Sequence, residues 1–195
     1  MNAEIVVVSG LPRSGTSLMM QLLHAGGIPA LTDHLRTPDP DNPRGYYEFE
    51  RVKKVKDDAA WLPDARGKVV KMVSQLLFDL PPTERYRVVF MERDLDEVLD
   101  SQENMLRRLG RPAAPRDEMT RAFGLHLTRL HKWLAEQPNF VVLRVGYADV
   151  VSHPAEAVGR VNEFLGGVLD AAAARAAVDP SLYRNKKAAA GPAAG

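Results

Sequence analysis

The 195-residue chain contains no cysteine, which excludes disulfide bonds and thiolate chemistry. Neither charge is in excess: 26 Lys and Arg stand against 25 Asp and Glu, for a net charge of +1. That balance gives no electrostatic reason to expect nucleic acid or an anionic membrane as a partner, although a local basic cluster can still hold a small anion. Long apolar runs are missing too. The first, Ile5 to Val8, is too short for a membrane span or a signal-peptide core, and Met1-Asn2-Ala3-Glu4 before it lacks a basic leader. The expectation is a cytoplasmic protein with one domain over residues 1–187, large enough to bury a core. Residues 188–195 are Ala, Gly and Pro only and are expected to be a disordered tail.

What is present alternates between two periodicities. Ile5-Val6-Val7-Val8 reads as a strand covered on both faces. Leu18, Met19, Leu22 and Leu23 then recur at helical spacing until Gly26-Gly27 ends the helix. Residues 29–45 hold four prolines and read as an irregular loop. Phe49, Val52 and Val55 mark a short helix. Lys68 to Val73, Tyr86 to Met91 and Phe140 to Val145 read as further strands. Asp94 with Glu97 three residues later opens a helix whose stripe is Leu95, Val98, Leu99, Met105, Leu106 and Leu109. Met119, Phe123, Leu127, Leu130 and Leu134 define a long amphipathic helix, and Pro154 opens another. Strands alternating with helices imply an α/β fold: one three-layer domain, a central parallel sheet of four to five strands with helices on both faces.

The chemistry is concentrated in Gly10-Leu11-Pro12-Arg13-Ser14-Gly15-Thr16-Ser17, directly between the first strand and the first helix. There glycines let backbone N–H groups approach an anion, and the helix N-terminus adds partial positive charge. The Gly10 to Gly15 spacing matches the loop of nucleotide triphosphatases, but Thr16 stands where that motif requires lysine. The positive group lies inside the loop instead, at Arg13.

Gly-Leu-Pro-Arg-Ser-Gly-Thr-Ser-Leu (10–18) resembles the 5′-phosphosulfate loop of the sulfotransferases. The resemblance implies that Arg13 contacts the phosphate–sulfate bridge while Ser14, Gly15, Thr16 and Ser17 hold the 5′-phosphate of 3′-phosphoadenosine 5′-phosphosulfate, without a metal. A second segment, Met91 to Ser101, is similar to the family's 3′-phosphate site, with Arg93 after a strand and Ser101 eight residues on. Independently of the name, strand C-termini in open α/β sheets are where ligands bind. Ser101 falls about 100° from the centre of its helix's apolar stripe and should border the cleft; for Arg93 an ion pair with a carboxylate is the competing role. Arg144 to Val150, running into Pro154 and Phe164-Leu165-Gly166, resembles the end of the family's core. The family's late Arg-Lys-Gly segment has only Arg184, Lys186 and Lys187 as a counterpart, without the glycine.

Sulfuryl transfer needs a group to take the acceptor's proton. The candidates are Asp33 first, Glu48 second and His34 third, all in the loop after the first helix, where a surface role competes for each. His126 and His131 are five apart on a helix and do not share a face for a metal. Trp61 and Trp133 read as packing residues. The expected acceptor is a hydroxyl or amine on a small molecule, carbohydrate, lipid or peptide. Two other readings stay open: a kinase-like P-loop nucleotide-binding protein, which Thr16 argues against, and a nucleotide-binding domain that has lost turnover.

Overall fold

The structure, a computed structural model, describes residues 4–33, 35 and 45–179. His34, the basic cluster Arg184, Lys186 and Lys187, and the tail lie outside the described residues. The elements alternate as the periodicities imply. β1 (Glu4–Gly10) leads into α1 (Thr16–Ala25), and α2 (Leu62–Ala65) precedes β2 (Val69–Val73). β3 (Arg85–Glu92), α3 (Leu95–Arg108), α4 (Arg116–Glu136) and β4 (Phe140–Gly146) follow, then α5 (Tyr147–Ser152), α6 (Pro154–Phe164) and α7 (Ala171–Ala176). Two 3-10 segments, Glu50–Lys54 and Ser74–Asp79, fill the connections around β2. The first of these takes the place of the short helix expected at Phe49 to Val55.

The four strands form one parallel sheet in the order β2-β1-β3-β4. β1 is apolar on both sides because both sides are covered. Val6 and Val8 pack with α1, α5, α6 and α7, while Ile5 and Val7 pack with α2, α4 and the 3-10 segments. A third, smaller cluster of Leu11, Val98, Leu99 and Phe123 seats α3 and α4 against the loop after β1. Asp94 caps α3 by accepting from the N–H groups of Asp96 and Glu97, a contact worth about 1 kcal/mol. The stripe of α3 is buried only in its first half. Val98 and Leu99 are enclosed, but Leu109 is 56% exposed, because Met105, Leu106 and Leu109 take no part in the three buried clusters. Trp61 is buried and Trp133 packs against Phe78 and Phe140, as packing residues do.

Register sets the position of the site. Gly10 pairs with Val73 on one side and Met91 on the other, and Met91 pairs with Val145. All four strands therefore reach the same level at their C-terminal ends. The segments that leave them, at Leu11, Ser74, Arg93 and Tyr147, converge on one rim of the sheet. Among the described residues, no helix is long and apolar enough to cross a membrane.

Candidate active site

The loop from Leu11 to Gly15 turns tightly, with Ser14 N–H donating to the Leu11 carbonyl at 3.1 Å. Arg13 is held at φ 71, a left-handed conformation that a residue with a Cβ adopts at a cost of about 1–2 kcal/mol. Gly15 needs its glycine: at φ 98, an added Cβ would stand 2.3 Å from Tyr147 Cδ2. Gly15 is also the N-cap of α1 and supplies no side-chain cap. The first N–H groups of α1 thus have no intrahelical acceptor and point, with the positive end of the helix dipole, into the loop. Ser14 Oγ is buried without a hydrogen-bond partner among the described residues. An anion seated in the loop would satisfy these donors.

The two motifs read from the sequence meet here. Arg13 Nε donates to Ser101 Oγ at 3.0 Å across 88 residues of chain. Arg93 donates from a guanidinium nitrogen to the Arg13 carbonyl at 3.2 Å. It also forms an ion pair with Glu97 at 2.9 Å, with the two side chains only 8% and 6% exposed. Burial of that degree demands a charged partner, so the competing role foreseen for Arg93 is the one this arrangement displays. The Arg93 guanidinium further stacks 4.4 Å from the centre of the Tyr147 ring. Ser101 is more enclosed than its place on the helical wheel implies, at 4% exposure, because the Arg13 side chain reaches it.

A cavity of about 610 Å³ opens beside this cluster. Leu11, Phe90, Val98 and Leu127 give it apolar walls, and Ser14, Arg93 and Arg144 together with the carboxylates of Glu92, Asp94 and Glu97 supply polar ones. Arg144 is itself paired with Glu92. His131 lines the same cavity, edge-on to Phe90. Its pKa is pushed down, chiefly by burial and further by Arg144.

On the other side of β1 lies a residue that sequence reasoning missed. Lys71 interrupts the apolar strand Val69–Val73, and its Nζ donates to Ser17 Oγ at 3.1 Å and to the Tyr46 carbonyl at 2.9 Å. Glu48 Oε1 stands 3.7 Å from the same nitrogen, and the lysine side chain is 12% exposed. The signal was available: a lone charge inside a buried strand must be paired or put to use. Glu48 is therefore carried, through Lys71, to Ser17 at the end of the loop after β1. Asp33 is not brought into that contact. Its carboxylate accepts from the N–H groups of Leu35 and Glu50, which folds the loop and opens the 3-10 segment that follows.

The match to known families agrees with this geometry. The model of the sulfotransferase domain family matches residues 4–190. This chain is a sulfotransferase. The sulfotransferase domain from the Synechococcus PCC 7002 olefin synthase superposes with a TM-score of 0.56 at 17% identity, covering 98% of this chain and 90% of that one. The sulfotransferase from Alicyclobacillus acidocaldarius gives 0.50 at 19% identity, covering 86% and 84%. At such identities these structures support the shared fold. Among curated proteins, none matches the chain in sequence. For this sulfotransferase, then, the enzyme class rests on the whole domain, and the residue roles rest on its own contacts. Among the described residues, no group of three or more His, Asp or Glu is placed to hold a metal.

Proposed function

We propose that this sulfotransferase draws on 3′-phosphoadenosine 5′-phosphosulfate and passes the sulfuryl group to a hydroxyl or amine by in-line attack. The observation that carries the reading is the junction of Arg13, Ser101 and Arg93, which joins the loop suited to the 5′ end to the residues suited to the 3′ end. The orphaned Ser14 hydroxyl and the uncapped α1 terminus fit an anion in the loop.

In this reading the donor supplies an activated sulfuryl group on a good leaving phosphate. Ser14, Gly15, Thr16 and Ser17 hold its 5′-phosphate, and Arg93 and Ser101 hold its 3′-phosphate. Arg13 lies where negative charge grows on the bridging oxygen as the S–O bond breaks. One such positioned donor is worth about 3 kcal/mol of transition-state stabilisation. Lys71, tied to Ser17 at the end of the loop, adds a second cation to the same side. Of the two carboxylates read from the sequence, Glu48 belongs to the cleft through Lys71, and Asp33 shapes the loop that presents Glu48. The acceptor, whether small molecule, carbohydrate, lipid or peptide, approaches from the β2 side.

The test uses ³⁵S-labelled donor with a panel of phenols, sugars and amines, on wild type and Arg13→Ala. Transfer of label by the wild type, reduced about a hundredfold in the variant, is the expected result. Donor binding without any transfer would identify a domain that keeps the nucleotide but has lost turnover.

A further inference from the structure

His126 sits on α4, and its Nε2 lies 2.8 Å from Ser74 Oγ. Ser74 is fully buried and follows Val73 directly. Val73 is the residue in register with Gly10, where the phosphate loop begins. A second anchor agrees. Phe123, one turn earlier on α4, packs with Leu11 inside that loop. His126 is thereby fixed from two directions at the level where the loop leaves the sheet.

The side of the sheet also matters. Along β2, Val70 and Met72 face the α4 core, whereas Lys71 faces α1 through Ser17. Alternation puts Ser74, and the imidazole bound to it, on the side opposite Lys71. The end of β2 thus carries an ammonium on one face and an imidazole on the other. Val73, on the Lys71 face by the same alternation, is an apolar residue left 40% exposed at this edge.

Resting on the sulfotransferase reading above, we propose that His126 is the residue that takes the proton from the acceptor, with Ser74 as its positioning residue. The Nε2–H group donates to Ser74 Oγ, which leaves the lone pair on Nδ1. The contact of Nε2 with Ser74 is the hydrogen bond the ring makes among the described residues. As the acceptor oxygen forms its bond to sulfur, its proton passes to Nδ1. The bond from sulfur to the bridging oxygen breaks, and its electron pair leaves with 3′-phosphoadenosine 5′-phosphate. Glu48 is less suited to that task, because protonating it would deprive Lys71 of its counter-charge. The environment of the ring supports a neutral imidazole: burial, His131 and Arg129 all push its pKa down. These are the charged groups that act on it, and the Ser74–Asp79 segment packed against it contributes only Ser74 and the Phe78 ring edge.

The test combines a spectroscopic and a kinetic readout on the full chain. With ¹⁵N-labelled histidine at pH 7, His126 is expected as the neutral Nε2–H tautomer. Sulfate release from 3′-phosphoadenosine 5′-phosphosulfate, with water as acceptor, is expected to fall about a hundredfold or more in His126→Ala. Added imidazole should restore part of the rate, and binding of 3′-phosphoadenosine 5′-phosphate should not change. His126→Gln, which keeps a donor for Ser74, should be as slow as the alanine variant. Ser74→Ala should slow turnover and lower the midpoint of the acid limb of the pH profile, because the charged ring loses the acceptor of its Nε2–H. An Nδ1–H tautomer, or a Gln variant at the wild-type rate, overturns the assignment. Both are distinct from a failure of the underlying reading, which would show as a wild type that neither binds the nucleotide nor releases sulfate.

Discussion

The two halves of the site are built in different ways. The half proposed for the donor, on β1 and β3, takes most of its groups from two short runs of sequence, residues 10–17 and 93–101. Its key elements are backbone N–H groups, one strained arginine and a helix terminus, all fixed by the turn itself. The half proposed for the acceptor, around β2, is assembled one residue at a time: Ser17 from α1, Tyr46 and Glu48 from a loop, Lys71 from a strand, Ser74 after it and His126 from α4. Each half contains one non-glycine residue in the left-handed region, Arg13 at φ 71 and Tyr47 at φ 52. Such conformations persist where the surroundings over-determine them. The contrast fits a task in which the donor is constant and the acceptor is particular to the enzyme.

Substitutions should separate the halves. The largest effect is expected from Gly15→Ala, whose Cβ collides with Tyr147 at an unfavourable φ. With strain of up to about 3 kcal/mol, binding of 3′-phosphoadenosine 5′-phosphate should weaken roughly a hundredfold by calorimetry. A binding constant within a few-fold of wild type would mean that the loop does not hold the nucleotide. Lys71→Met should do the reverse: steady-state kinetics should show kcat reduced by about ten- to a hundredfold while nucleotide binding stays nearly intact. A variant that loses both equally would erase the division between the halves. The smallest effect is on stability. His126 and His131 are held below the ordinary histidine value of 6.5, so the unfolded chain binds more protons as pH falls through that value. Stability should be complete above pH 6.5 and decline below it, down to the folded-state values. Thermal melts at pH 7.5 and 5.5 should show the drop, and His131→Gln should flatten it.

The same contrast explains what the sequence disclosed. The alternation of strands and helices, the parallel sheet and the Asp94 cap followed from periodicity and local chemistry, because each depends on neighbours within a few residues. The loop at 10–17 stood out because its glycines and Arg13 are contiguous between a strand and a helix. Lys71 was visible as a misfit in an apolar strand, but its partners Ser17, Tyr46 and Glu48 come from three other segments. His126 looked like an ordinary helix histidine until α4 was placed against Ser74, 52 residues away. Asp33 and Glu48, ranked first and second as proton acceptors, both read as carboxylates in a polar loop. Only the fold shows one capping a 3-10 turn and the other facing a lysine. Exposure of Leu109 could not be read either, since the heptad-like stripe of α3 continues past the last element able to cover it.

The junction of Arg13, Ser101 and Arg93 is proposed to bind a 3′-phosphorylated nucleotide. Calorimetric titration with 3′-phosphoadenosine 5′-phosphate, beside ADP and ATP, on wild type and Arg93→Ala tests it most directly. Tight binding of the 3′-phosphorylated nucleotide alone is expected, weakened at least about tenfold in the variant through loss of a charge-assisted contact. A preference for ATP, or equal affinity for ADP with no effect of the variant, would contradict it.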